Sequence, residues 1–203
     1  VPNWCENSLT VYAADEESLA EFHTKLVQSG ENSLLATFLP MPEELSNSEG
    51  ADADALIAKY GTTDWYTWAL SAWGCKWPDE LHPENSVVMR PIFDVGTLVK
   101  EGWVDYYFQT PWSPPVNGVQ TISKMFPKLT FVLGFKEEGV GFIGAASFAE
   151  GEMLLEISED ADQIPRMKAL ILDGELEKED PDWELVQQIM DDYLTECIQM
   201  VKF

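Results

Sequence analysis

The sequence predicts an α+β fold: a ferredoxin-like antiparallel sheet with helices on one face, an aromatic-rich, mainly helical insertion, and an acidic helical extension at the C-terminal end. Three observations carry this. Strand and helix periodicities alternate at the start and again after residue 100, the later strands follow one another as hairpins, and the segment between is dense in aromatic residues. The expected division is a core of residues 1–38 and 100–158, an insertion of residues 39–99 and an extension of residues 159–203.

Residues 7–13 read as a strand from the alternation around Leu9 and Val11, and residues 14–30 as a helix. Leu19, Phe22, Leu26 and Val27 recur at helical spacing, Asp15 or Ser18 is placed to cap the start, and Gly30 stops the run. Pro40 and Pro42 forbid regular pairing after Phe38, and residues 46–54 are polar and read as a loop. Residues 55–77 are helical and aromatic, and His82-Pro83-Glu84-Asn85 marks a turn before the apolar stretch 87–93. Residues 103–109 have the β-branched and aromatic content of a strand. Pro114 or Pro115 then opens a helix through Val119, Ile122 and Phe126, with Ser113 as candidate cap. Strands follow at 129–136, 140–149 and 152–158, the first two joined by a turn at Glu137-Glu138-Gly139. Residues 163–174 and 182–200 read as helices, the second with a stripe of Trp183, Val186, Ile189, Met190, Tyr193, Leu194 and Cys197.

The charge balance excludes several classes of function. The chain has 36 Asp and Glu against 12 Lys and Arg, a formal charge of −24. A direct nucleic-acid binder gains affinity by replacing phosphate counterions with basic side chains, and no basic stripe is present. The expected partners are basic surfaces. From Glu150 onward there are 16 acids and 4 Lys and Arg, so half of the net charge lies in the last quarter of the chain. Cys5, Cys75 and Cys197 are far apart and lack metal or disulfide spacing, which predicts reduced thiols. No apolar run approaches the roughly 20 residues that span a bilayer, and the expectation is a soluble protein of the bacterial cytoplasm.

The scan for chemistry yields no catalytic, cofactor-binding or metal-ligating residues. Gly139-Val140-Gly141-Phe142-Ile143-Gly144 has dinucleotide-binding spacing, but Phe142 to Phe148 reads as a strand, and a phosphate turn must open a helix. His23 and His82 are isolated from metal ligands and nucleophiles, and Asp52 and Asp54 fall in the polar loop without further ligands at calcium spacing. The strongest local signal is a tryptophan box, in which Trp65, Trp68, Trp73 and Trp77 account for half of the eight tryptophans. At these spacings they share a broad helical face as far as Gly74. That face is either core or a recognition platform ringed by Lys76.

Several segments together resemble a known family. Pro2-Asn3-Trp4-Cys5-Glu6-Asn7, Leu39-Pro40-Met41-Pro42-Glu43-Glu44-Leu45, the box with Trp73-Gly74-Cys75-Lys76-Trp77, Phe108-Gln109-Thr110-Pro111-Trp112-Ser113-Pro114-Pro115 and Lys136-Glu137-Glu138-Gly139 are similar to motifs of the YubB-like family. Members of that family are encoded by phages, prophages and conjugative plasmids and contain a ferredoxin-like domain. Cys75 stands where the family pattern has a small hydroxylated residue, and Pro111 where it has a small one. The resemblance covers residues 2–150 as ordered islands and implies an accessory protein of a mobile element, with no catalytic residues to carry over.

The leading expectation is therefore a non-enzymatic protein that binds a basic host protein, with a sharper form in which it mimics DNA to a nucleic-acid-binding defence factor. Glu175, Glu177, Glu179, Asp180, Asp182, Glu184, Asp191 and Asp192 are the expected contact acids. The alternative is an enzyme with a cleft between sheet and insertion, lined by Asn3, Asn7, Trp68, Trp73, Lys76, Trp77, Trp112 and Ser113. A third class is a structural protein that oligomerises through the C-terminal helix.

Overall fold

The computed structural model describes residues 2–47, 52–81, 88–91, 102–137, 141–178 and 180–202. The turn at His82-Pro83-Glu84-Asn85, the residues Val87, Ile92 and Phe93, the turn residues Glu138 and Gly139, and Glu179 lie outside the described residues, as does the side chain of Glu175.

β1 (Trp4–Ala13) alternates as expected and buries Cys5, Asn7, Leu9, Val11 and Ala13 on one face. The Asp15 carboxylate accepts from the Ser18 amide at 2.8 Å and so caps α1 (Glu16–Gln28); Ser18 is its partner and not the cap. Leu19, Phe22 and Leu26 are buried on α1, whereas Val27 falls off the stripe and is 62% exposed. α2 (Leu34–Phe38) precedes the insertion, which holds α3 (Glu43–Ser46), α4 (Ala53–Tyr60) and α5 (Trp65–Ala72), together with short strands β2 (Glu80–Leu81) and β3 (Val88–Pro91). The expected loop ends early because Asp52 caps α4 through the amides of Asp54 and Ala55, which leaves Asp54 in the first helical turn.

β4 (Gly102–Pro111) pairs antiparallel with β1 along its length, and β2 and β3 both add to its other side. α6 (Val116–Met125) follows, preceded by Pro115, and then β5 (Leu129–Glu137), β6 (Phe142–Ala149) and β7 (Glu152–Asp160) as a meander. The strand order is β2-β4-β1-β5-β6-β7. β4 and β5 lie on either side of β1, so β4-α6-β5 is a crossover with one strand left between its ends, the split βαβ unit of ferredoxin-like folds.

The core helices α1 and α6 lie on one face as expected. Phe22 is central there, with ring centres 5.0 Å from Phe38, 5.0 Å from Phe126 and 5.6 Å from Phe131. The C-terminal extension covers part of the opposite face. α7 (Pro165–Leu172) and α8 (Trp183–Val201) bury Met167, Val186, Ile189 and Met190 against Ile143, while Cys197 and Val201 meet Val132 and Ala145. Each buried aliphatic side chain there contributes roughly 1.5–3 kcal/mol before entropy is charged against it. Gly134 makes the approach close, since a Cβ there would lie 2.6 Å from Ile198 Cδ1. The acidic tail is thus a docked part of the fold. The face expected for pairing between copies is occupied by the sheet, except that Trp183, in the first turn, is 59% exposed.

β6 also explains the dinucleotide-like glycine spacing. Gly144 lies inside the strand, where a Cβ would meet the Ile157 carbonyl and the Phe135 ring at 2.7 Å. Close packing, not phosphate, requires glycine there.

Candidate protein-recognition site

Asp64 caps α5 by accepting from the Thr67 amide at 2.8 Å, and the helix ends before the tryptophan box is complete. Gly74 turns the chain with φ +88°, and Cys75, Lys76 and Trp77 follow outside the helix. One helical face therefore cannot hold all four tryptophans. Trp73 is 1% exposed, packs edge-on against Trp68 at 5.1 Å and donates its indole N–H to the Leu39 carbonyl at 2.9 Å. Trp65, in the first turn, is 40% exposed. Trp77 instead joins the strands' end, 5.3 Å from Trp112 and 6.4 Å from Trp4.

Lys76 is the centre of this second cluster. Its Nζ lies 4.8 Å from the Trp112 ring centre, 5.3 Å from that of Trp77 and 5.7 Å from that of Tyr66. Trp112 holds φ 62°, an unusual conformation for a side-chain-bearing residue, and its amide donates to the Asn3 carbonyl at 2.9 Å. Ser113 donates to the Gly74 carbonyl at 2.7 Å, so it staples the box to the approach to α6 and does not cap α6. Tyr66 and Trp112, both exposed, rim a cation already held by the protein, and Trp65 and Leu70 of α5 are exposed as well.

The residues expected in a cleft thus divide by role. Lys76, Trp77 and Trp112 meet in one cluster, while Trp68 and Trp73 pack into the core. Asn7 is buried, and its side-chain amide donates to Thr110 Oγ1 at 2.9 Å and to the Cys5 carbonyl at 2.9 Å. These are structural bonds, the first of which knits β1 to β4. A separate groove of about 620 Å³, unmarked by any sequence pattern, opens between β1, β4 and the end of α8 beside Tyr12, Trp103, Asp105, Lys128 and Lys202. Its lining residues come from distant segments, and Lys202 already lies 5.8 Å from the Tyr12 ring centre.

The acids also divide. Asp191 sits 2.8 Å from Lys136, Asp192 sits 2.6 Å from Arg166, and Asp182 caps α8 through the Leu185 amide. The Arg166 hydrogen bond holds the Asp192 carboxyl below its ordinary range. Glu177, Asp180 and Glu184 are exposed on the extension, and Glu152, Glu156, Glu159 and Asp160 are exposed on β7. Sequence patterning counted the β7 acids within the acid-rich last quarter but named none of them as contacts.

Reactive chemistry is muted among the described residues. Burial pushes the Cys75 thiol up to about 12 and raises those of Cys5 and Cys197, so none is poised as a thiolate nucleophile. His23 Nδ1 is 3.0 Å from the Tyr106 hydroxyl, and burial lowers its pKa. No group of three or more metal-ligating side chains occurs among the described residues. No described helix is long and apolar enough to cross a membrane.

Sheet, split crossover and docked acidic helix define a ferredoxin-like α+β protein with an elaborated aromatic insertion. Residues 97–180 match the family model described as the ferredoxin-like domain in Api92-like protein. The match runs beyond Glu150, where no motif was recognisable in the sequence, and through α7. The crystal structure of a protein Api92 from Yersinia pseudotuberculosis aligns with 79% of this chain and 99% of its own, at 11% identity and a TM-score of 0.38. No curated protein matches the chain.

Proposed function

We propose that this chain is a non-enzymatic accessory protein of a phage or plasmid whose acidic surface binds a basic host protein. The observation that carries the reading is the exposure of Glu177, Asp180 and Glu184 on an extension that docks on the sheet, within a chain of net charge −24. A docked acidic surface is preorganised, so electrostatic attraction speeds encounter without the entropy cost of ordering a tail. The match of residues 97–180 to the ferredoxin-like domain in Api92-like protein and the motif resemblance support a role in a mobile element's contest with its host. In its sharper form the reading is anti-defence: the acids occupy the groove with which a defence factor holds nucleic acid.

The test is affinity capture from a bacterial lysate with the wild-type chain and with Glu177, Asp180 and Glu184 all changed to Lys. The expected result is a basic protein retained by wild type, released by salt and lost with the triple variant. Capture that survives the charge reversal overturns the reading. If duplex DNA fails to compete with the chain for the captured protein, the mimicry form falls while binding stands.

A further inference from the structure

β7 ends the sheet. Among the described residues its ladder is with β6, and no strand pairs with its other side. Phe148 pairs with Met153 and Ser147 with Leu155, so Leu154 is an extra residue in a bulge. Beyond it, residues 155–160 run in unbroken register against 142–147. An antiparallel edge strand of this kind points alternate N–H and C=O groups outward, where an added strand can use them. Leu154 and Leu155 are 52% and 46% exposed, an unusual apolar content for an open edge.

The two faces of the edge differ chemically. Glu156, Ser158 and Asp160 share the face of buried Ala146, whereas Leu155, Ile157 and Glu159 share that of buried Ile143 and Ala145. A second copy of the chain would bring acid against acid on the first face, which opposes pairing. An incoming strand that alternates basic and apolar side chains satisfies both faces at once.

We propose that the edge of β7 at residues 155–160 receives an extended segment of a basic partner protein as an added strand, its basic side chains over Glu156 and Asp160 and its apolar ones beside Leu155 and Ile157. Main-chain hydrogen bonds supply attachment, and the alternating faces supply selectivity. The proposal rests on the reading that the partner is basic, and it names the conformation in which that partner is held.

The probe is a synthetic heptapeptide of alternating lysine and valine, titrated into the full chain while amide hydrogen exchange is followed by NMR. Slowed exchange at alternate amides of residues 155–160 is expected. Changing Glu156 and Asp160 together to Lys, both exposed, should not lower the unfolding midpoint and should weaken binding roughly tenfold. A peptide with proline at its centre should bind more weakly still. Equal affinity for the proline peptide or for its glutamate counterpart, protection confined to other segments, or no saturable binding overturns the proposal. Protection of the same amides by self-association without peptide also overturns it, in favour of a second copy. If the β7 double variant still captures the basic host protein while reversal at Glu177, Asp180 and Glu184 abolishes capture, the edge proposal fails and the functional reading survives.

Discussion

Asp79 is 2% exposed and carries no sequence signal, yet it organises the start of α2. Its carboxylate accepts from the Leu34 amide, the Leu35 amide and the Ser33 hydroxyl, each at 2.8 Å, and so satisfies the open end of α2 from 44 to 46 residues away. Removal of the carboxylate in Asp79→Ala leaves those donors buried and unpaired, and urea denaturation should register a loss of roughly 1–3 kcal/mol. Burial pushes this carboxyl above its ordinary range, against the pull of the three donors. A raised folded-state pKa favours the neutral form on folding. Its contribution is fully present below the unfolded value and is lost as pH rises through the folded one. The stability of wild type relative to Asp79→Asn should therefore fall as pH rises above the ordinary carboxyl range, and a flat or rising difference contradicts this assignment.

At the scale of elements, local chemistry was legible and docking was not. The alternation in β1, the α1 cap at Asp15 and the meander of β5 to β7 were all present in the sequence, because each depends on neighbours a few residues apart. The apolar stripe of α8 was legible too, but its partner face was not. That face is set by β5 and β6, whose small residues Gly134 and Ala145 leave room for Ile198 and Cys197. Lys136 adds a specific clamp. Its side chain is 10% exposed and its Nζ lies 3.2 Å from Glu6 and 2.8 Å from Asp191, so it ties β1 and β5 to α8. Lys136→Ala leaves two carboxylates facing each other and should cost roughly 1–2 kcal/mol, because both partners retain solvent access that screens the pair. Hydrogen exchange should quicken along α8 before it quickens in α1. Uniform acceleration instead would show that α8 is not a separately clamped element.

For the whole molecule, net charge dominates. With −24 on 203 residues, self-repulsion opposes the compact state, and salt relieves it over a Debye length of roughly 10 Å at 0.1 M. Raising sodium chloride from about 10 mM to about 300 mM should raise Tm by several degrees. A constant Tm would mean that local pairs such as Lys136 with Asp191 already offset the repulsion. The same scale separates the two candidate surfaces. Composition revealed an acidic chain and a tryptophan box, since both are properties of which residues are present. It did not reveal that the box splits at Gly74, with Trp73 sent to the core and Trp77 to a cage around Lys76, because that depends on a turn with φ +88° and on Trp4 of β1 and Trp112 just past β4. Nor did it reveal that acids on β7 stand at an open edge. Local periodicity and charge were enough to set the alternation of elements, the ferredoxin-like class and the sign of the surface. Which aromatic residues are core, which acids are neutralised by Lys136 and Arg166 and which remain for a partner depended on strand order and helix docking, because these bring together residues that no local spacing relates.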